Sequence, residues 1–130
     1  IEKGMVKVPF KAVLMLDEFQ DINEDAFSLI KALYRAQDSN MRIIAVGDDD
    51  QCILKSVNGA DISFFKRFEE EFSDEEGGVA HFYLVENYRS CPKILDTAEV
   101  ILGHLESRMK DRRLVAMKRR DCPKVKIVYS

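Results

Sequence analysis

Five apolar residues in succession, Ala12-Val-Leu-Met-Leu16, run directly into the acidic pair Asp17-Glu18. An unbroken apolar run of this length is typical of a strand that is buried on both faces, as in parallel sheets. A second run, Ile43-Ile-Ala-Val46, leads into Gly47-Asp-Asp-Asp50. The sequence therefore predicts two buried strands that each end in acidic residues.

The segments around these strands predict helices. Asn23 is a suitable helix N-cap, and apolar residues recur at helical spacing from Ala26 to Tyr34. Further helices are predicted to start at Asp61 and at Ser90-Cys91-Pro92, and further strands to span Ala80–Val85 and Val125–Tyr129. Strands that alternate with helices indicate an α/β domain with a parallel sheet and flanking helices.

Composition limits the classes of protein to which the chain can belong. Its 130 residues are 46% apolar and 33% charged, which suits one domain with a core and excludes a disordered tail. The apolar runs are too short to cross a membrane, and the first residues lack a signal-peptide pattern. Cys52, Cys91 and Cys122 are odd in number and scattered, which argues against disulfides and fits a reducing cytosol.

Charge is distributed unevenly along the chain. Between His104 and Lys126, nine lysines and arginines face three acidic residues, although the whole chain carries a net charge of −3. The basic segment is suited to contact nucleic acid phosphates, or it is a solvated connector; charge alone leaves both readings open.

The acidic strand ends are the candidate site, because ligands of open parallel sheets bind beyond the carboxyl ends of the strands. An apolar strand followed by Asp-Glu has the general form of a Walker B site. There the Asp holds Mg²⁺ and the next carboxylate polarises the attacking water, here Asp17 and Glu18. Arg89, after the third predicted strand, supplies a planar phosphate clamp. The competing reading is that these acids merely cap turns and helices.

Three segments in order resemble motifs of superfamily 1 helicases of the UvrD/Rep/PcrA type. Leu16–Asp21 resembles motif II, Val46–Gln51 with Gly59-Ala60 downstream resembles motif III, and Leu84–Ser90 resembles motif IV. The resemblance covers roughly Val13 to Ile101.

This resemblance implies a role for each matching residue. Asp17 and Glu18 would bind Mg²⁺, and Glu18 would also be the general base for ATP hydrolysis. Gln51 and Arg89 would contact the γ-phosphate as catalytic and nucleotide-binding residues, and Tyr88 would stack on the adenine. The implied cofactors are ATP and Mg²⁺, the implied partner is DNA, and the implied location is the cytoplasm.

The same resemblance implies an incomplete motor. No Gly-x-x-x-x-Gly-Lys-Ser/Thr loop occurs, so the fold expected is a partial RecA-like sheet that lacks the phosphate-loop strand. Residues 1–103 would be the end of the first RecA-like domain, and residues 104–130 a basic connector and the first strand of the second. The chain would be an interior piece of a longer protein, which would explain why it does not begin with Met. The isolated chain is expected to be inactive. It is also expected to self-associate through an exposed sheet edge.

Motif III departs from the family pattern, because Leu54 replaces a stacking tyrosine and Asn58 stands where arginine is expected. This departure keeps a degenerate, non-catalytic partner-binding module open as an alternative. A subunit of a helicase–nuclease is a second alternative. A metal nuclease that uses Asp17, Glu18 and Asp48–Asp50 is a third.

Overall fold

The computed structural model describes residues 13–37, 41–73, 78–104, 108–109, 112–117, 122, 124–126 and 128 of the chain. These residues belong to two compact units, of which the first ends at Ala80 and the second begins at His81. No helix among the described residues is long and apolar enough to span a membrane.

The first unit is built on two parallel strands, β1 (Val13–Leu16) and β2 (Arg42–Ala45). Val13 lies opposite Arg42 and Leu16 opposite Ala45. Both predicted strands are thus confirmed, although Ala12 lies outside the described residues. Their parallel pairing is compatible with the expected α/β class.

Helix α1 (Glu24–Arg35) connects the two strands. As predicted, Asn23 caps it, since its Oδ1 accepts a hydrogen bond from the Ala26 N–H at 3.0 Å. After β2 come α2 (Lys55–Asn58) and α3 (Ser63–Phe72). Asp61 Oδ1 accepts the Ser63 N–H at 2.8 Å, so Asp61 supports the start of α3. The sequence predicted a loop where α2 forms.

Four phenylalanines form the core of the first unit. Phe19, Phe27, Phe64 and Phe68 are all buried. The Phe19 ring meets the Phe68 ring edge to face, with centroids 5.3 Å apart. Full burial of each such side chain stabilises the fold by about 1.5–3 kcal/mol. The core thereby fixes the position of the turn that follows β1, to which Phe19 belongs.

Only one face of the β1–β2 sheet packs on this core. Leu16, Ile43 and Ala45 pack against the phenylalanines. On the other face, Met15 is 72% exposed and Ile44 is 47% exposed. The expectation of strands buried on both faces is therefore wrong for the described residues.

The second unit contains two short parallel strands, β3 (Glu86–Asn87) and β4 (Val115–Ala116). Helix α4 (Pro92–Leu102) lies between them in sequence and begins at the proline, as predicted. The sequence did not predict β4.

Two other strand predictions fail in this unit. Residues 80–85 are not a strand, and Phe82 and Leu84 are more than four-fifths exposed, because pairing begins only at Glu86. The described residues of Val125–Tyr129 are not a strand either, and Ile127 and Tyr129 lie outside the described residues.

The expectation of unpaired cysteines is also wrong for two of the three. Cys91 and Cys122 form a disulfide, with Cα atoms 6.4 Å apart. They are separated by 31 residues, and sequence spacing alone does not show that two such distant positions lie together. Cys52 is a free thiol.

Candidate active site

The acidic ends of β1 and β2 lie beside each other. The Val46 N–H donates to the Leu16 carbonyl at 2.8 Å, and the Phe19 N–H donates to the Val46 carbonyl at 2.9 Å. These two bonds continue the parallel ladder beyond the strands. The acids that follow the two strands therefore share one edge of the sheet, as the sequence predicts.

Glu18 sits at a sharp turn directly after β1. Its φ and ψ of 51° and 46° are left-handed, and it is the one non-glycine residue with positive φ among those described. Its carbonyl accepts the Asp21 N–H at 2.9 Å, and its own N–H donates to Asp17 Oδ1 at 2.9 Å. The turn leaves Glu18 exposed while the next residue, Phe19, enters the core. Such strain in a side-chain-bearing residue is concentrated at functional sites.

A buried glutamine links the two strand ends. Gln20 is only 3% exposed. Its Nε2 donates to Glu18 Oε2 at 2.5 Å, and its Oε1 accepts the Asp48 N–H at 3.0 Å. A carboxylate only accepts and a backbone N–H only donates, so these partners dictate which way the amide faces.

Gly47 leaves the space that this glutamine occupies. A Cβ at position 47 would lie 2.9 Å from Gln20 Oε1, 3.1 Å from the Gln20 nitrogen and 3.1 Å from Phe65 Cζ. The first distance is shorter than real Cβ contacts allow, and the others are tight. A side chain at this position would therefore press on the amide and on its surroundings.

Gln51, a second predicted catalytic residue, joins the same hydrogen-bonded chain. Gln51 ends a short 3-10 helix (Asp49–Gln51), and its Nε2 donates to Asp48 Oδ2 at 2.7 Å. Asp48 Oδ1 accepts the Asp50 N–H at 3.2 Å. Glu18, Gln20, Asp48 and Gln51 thus form one connected chain of hydrogen bonds.

The donor set at Asp17 and Glu18 fits a hydrated Mg²⁺. Both side chains are exposed carboxylates, and a cavity of about 420 Å³ lies beside them. Mg²⁺ is commonly held by one or two carboxylates together with waters and phosphate oxygens. Within the described residues, no group of three or more His, Cys, Asp and Glu could enclose a metal by itself.

Tyr88 and Arg89 occupy an exposed turn of the second unit, between β3 and α4. Asn87 Oδ1 shapes this turn by accepting the N–H groups of Arg89 and Ser90 at 3.0 and 2.7 Å. The Tyr88 hydroxyl donates to the Glu86 carboxylate, and this bond raises the pKa of Tyr88. The structure thus groups Tyr88 with Arg89 in one unit, and Asp17, Glu18 and Gln51 in the other.

In the segment after Gln51, which departs from the motif III pattern, Asn58 forms two hydrogen bonds to the backbone. Its Nδ2 donates to the Asp21 carbonyl at 3.2 Å, and its Oδ1 accepts the Ala60 N–H at 2.9 Å. Lys55 forms an ion pair with Asp61, and its hydrogen bond is the largest cause that lowers the pKa of Asp61 to about 2. Ile53 and Val57 are each 78% exposed.

Part of the basic segment is engaged with α4. Arg108 forms two bonds to the Glu99 carboxylate, at 2.6 and 3.1 Å, and Arg113 pairs with Asp96 at 2.5 Å. Arg112 lies 4.8 Å from the centre of the Tyr83 ring. These three arginines therefore have partners within the chain, which favours the connector reading for them.

Sequence reasoning gave no role to Gln20 or Gly47. Gln20 lies inside the quoted Asp-Glu-Phe-Gln-Asp segment, but its bonds depend on the left-handed turn at Glu18. The available signal was a glutamine directly after a phenylalanine, since a polar residue beside a large apolar one needs hydrogen-bond partners if it is buried.

Part of the chain matches known proteins. Residues 6–73, about half of the chain, match the family described as UvrD/REP helicase N-terminal domain. The chain is 42% identical to DNA helicase IV of Escherichia coli strain K12 over 76 residues, which are 58% of this chain and 11% of the relative. It is 33% identical to the ATP-dependent DNA helicase PcrA of Staphylococcus epidermidis over 93 residues, or 72% of this chain and 12% of the relative. It is also 33% identical to DNA helicase II of Escherichia coli strain K12 over 96 residues, which are 74% of this chain and 12% of the relative. The chain thus spans about one eighth of the length of these relatives.

Proposed function

Because this chain belongs to the UvrD/REP helicase N-terminal domain family, we propose that it is part of an ATP-dependent DNA helicase. Its residues would supply one part of a site that hydrolyses ATP with Mg²⁺ and drives movement on DNA. The observation that supports this most directly is the hydrogen-bonded chain from Glu18 through Gln20 and Asp48 to Gln51. That chain joins the two acidic strand ends at the edge where parallel sheets bind ligands.

Asp17 and Glu18 would bind Mg²⁺, which when bound neutralises charge on the β- and γ-phosphate oxygens. Glu18 would also be the general base that accepts a proton from the attacking water. The Gln20 amide donates to Glu18 Oε2, and no hydrogen bond to Oε1 occurs among the described residues. Oε1 is therefore the oxygen that we assign to the water, within hydrogen-bond reach as general-base catalysis requires.

The remaining assigned residues would bind the nucleotide. Gln51 would contact the γ-phosphate, and its bond to Asp48 would relay that contact toward Gln20. The exposed ring of Tyr88 would stack on the adenine, and the planar guanidinium of Arg89 would contact the γ-phosphate.

The activity would belong to the full-length protein. The chain contains no Gly-x-x-x-x-Gly-Lys-Ser/Thr loop to cradle the α- and β-phosphates. We infer a partial RecA-like fold, with residues 1–103 from the first RecA-like domain and residues 104–130 leading into the second. The isolated chain should therefore not hydrolyse ATP, and the exposed face that carries Met15 and Ile44 should promote its self-association.

Calorimetric titration of the full-length protein with Mg-ATP, followed by a DNA-unwinding assay, tests this proposal. We expect saturable binding, and unwinding that requires hydrolysable ATP. The degenerate module predicts no binding, so a flat titration would overturn the proposal in its favour. Tyr88→Ala should weaken binding because it removes the stacking ring, whereas Tyr83→Ala, which removes another exposed tyrosine of the second unit, is the matched control.

A further inference from the structure

We propose that Gln20 is a positioning residue for ATP hydrolysis, which holds the Glu18 carboxylate and couples it through Asp48 to Gln51. The inference rests on the function proposed above and adds to it a residue that touches neither nucleotide nor metal. Gln20 would act on the reaction only through the orientation of Glu18.

Gln20 is buried, and both the nitrogen and the oxygen of its side-chain amide form hydrogen bonds. The residue is 3% exposed, and among the described residues no buried side-chain nitrogen or oxygen lacks a hydrogen-bond partner. Its Nε2 serves the Glu18 carboxylate, and its Oε1 serves the Asp48 N–H. A buried amide is tolerated only when it is paired in this way. An apolar side chain would fill the same space, so the amide is there for its two partners.

The backbone holds this arrangement from both sides. Phe19 anchors the turn in the core, while the left-handed conformation of Glu18 allows the side chains of Glu18 and Gln20 to meet. From β2, Gly47 gives Gln20 Oε1 the room to reach the Asp48 N–H. The Glu18 carboxylate is therefore bonded to a buried amide that both strand ends hold in place, as effective catalytic positioning requires.

The same bonds join the two acidic strand ends. Asp48 holds Gln20 through its backbone and Gln51 through its carboxylate. A shift of Gln51 on contact with phosphate would move Asp48, and the N–H of Asp48 would carry that movement to Gln20 and then to Glu18. This is a contiguous physical route between the residue assigned to sense nucleotide and the residue assigned to activate water.

The chain offers a matched control in Gln37. That residue is 8% exposed, and its Nε2 donates to the Leu33 carbonyl and to Met41 Sδ. These two partners are a backbone carbonyl and a thioether, and neither belongs to an assigned site residue. Substitution by methionine keeps the length of the side chain and removes the amide at either position.

The test is DNA-stimulated ATP hydrolysis by full-length protein carrying Gln20→Met or Gln37→Met. We expect Gln20→Met to lower kcat about 10- to 100-fold, in the range typical of residues that orient a catalytic group, with KM for ATP changed less than about twofold. Gln37→Met should leave both values unchanged. Glu18→Gln should leave only a slow residual rate in a single-turnover assay. Adding Gln20→Met should not lower that residual rate further, since residues that act as one unit are not additive.

A second variant covers the case in which Gln20→Met does not fold. Gly47→Ala leaves the amide in place but presses on it, because the new Cβ would approach Gln20 Oε1 to 2.9 Å. It should also lower kcat, whereas Gly103→Ala, whose Cβ would meet only α4 carbonyls at 3.3 Å and beyond, should not.

Several results would overturn the positioning role of Gln20. These are unchanged kcat in folded Gln20→Met or Gly47→Ala, an equal loss in Gln37→Met, or additive losses with Glu18→Gln. If Glu18→Gln itself retained full turnover, the assignment of Glu18 as the general base would fail, whereas a flat Mg-ATP titration would overturn the proposed function. Both outcomes are distinct from a failure at Gln20 alone.

Discussion

Replacing Glu18 by glycine and by alanine measures the strain at the proposed base. Both changes remove the carboxylate and its bond to Gln20, so the difference between them reports on the backbone. The left-handed conformation of Glu18 costs a residue with a Cβ roughly 1–2 kcal/mol. Glycine escapes this cost, but ordering it costs about 0.5–1 kcal/mol more than ordering alanine. We therefore expect Glu18→Gly to be more stable than Glu18→Ala by about 1 kcal/mol.

Hydrogen exchange at the Val46 amide is the assay. This N–H donates to the Leu16 carbonyl at 2.8 Å, where β1 enters the turn, and it lies far in sequence from the substitution. The exchange rate of this amide reports local opening of the strand end and does not require the whole protein to unfold. A difference of about 1 kcal/mol should make the Val46 amide exchange about five times more slowly in Glu18→Gly than in Glu18→Ala.

The same pair of substitutions at Glu70 is the control. Glu70 is an exposed residue inside α3, where glycine is less stable than alanine by about 1 kcal/mol. Glycine should therefore be the more stable variant at position 18 and alanine the more stable variant at position 70. For the Glu70 variants, hydrogen exchange is measured at the backbone amides of α3. If Glu18→Gly exchanged as fast as Glu18→Ala or faster, the inference of backbone strain at Glu18 would be wrong.

Three further predictions concern the fold around the site. Lys55→Met should raise the Asp61 pKa from about 2 toward its ordinary value in an NMR titration. Because the folded-state pKa of Asp61 is depressed, its stabilising contribution is fully present above about pH 4 and is lost as the pH falls through about 2. An unchanged Asp61 pKa in Lys55→Met would refute the conclusion that Lys55 lowers it. Phe27→Ala, in the core, should lower the free energy of unfolding by about 3–5 kcal/mol, and Phe82→Ala, on the surface, by less than about 0.5 kcal/mol; equal losses in urea titrations would contradict the core described. Mass spectrometry of non-reduced digests should detect the Cys91–Cys122 linked peptides, and the recovery of both as free thiols would contradict this bond.

The first unit was largely predictable because its signals are local. The apolar runs before Asp17 and Gly47, and the cap at Asn23, report on nearby backbone, and β1, β2 and α1 form there. The acidic strand ends also lie together as expected, because parallel pairing alone brings them to one edge.

The second unit was less predictable because its strands depend on distant pairing. Residues 80–85 carry a strand pattern, yet the strand that forms is Glu86–Asn87, where β4 supplies hydrogen bonds. The contact between Cys91 and Cys122 also joins positions that are remote in sequence. Local periodicity carries no information on which distant segment will pair.

The candidate site shows the same division. The residue types at Asp17 and Glu18 predicted a Mg²⁺-nucleotide site, and the helicase resemblance added Gln51. No pattern indicated that Gln20 connects Glu18 through Asp48 to Gln51. That connection needs the left-handed φ at Glu18 and the missing Cβ at Gly47, and both become meaningful only in three dimensions.

The most direct test of the central claim is steady-state ATP hydrolysis by the full-length protein, with and without single-stranded DNA, before and after Glu18→Gln. Glu70→Gln, which neutralises an exposed carboxylate on α3, is the matched control. We predict DNA-stimulated hydrolysis that Glu18→Gln abolishes and Glu70→Gln preserves, while Mg-ATP still binds to both variants. Hydrolysis by Glu18→Gln at the rate of the unsubstituted protein would contradict the assignment of Glu18 as the general base.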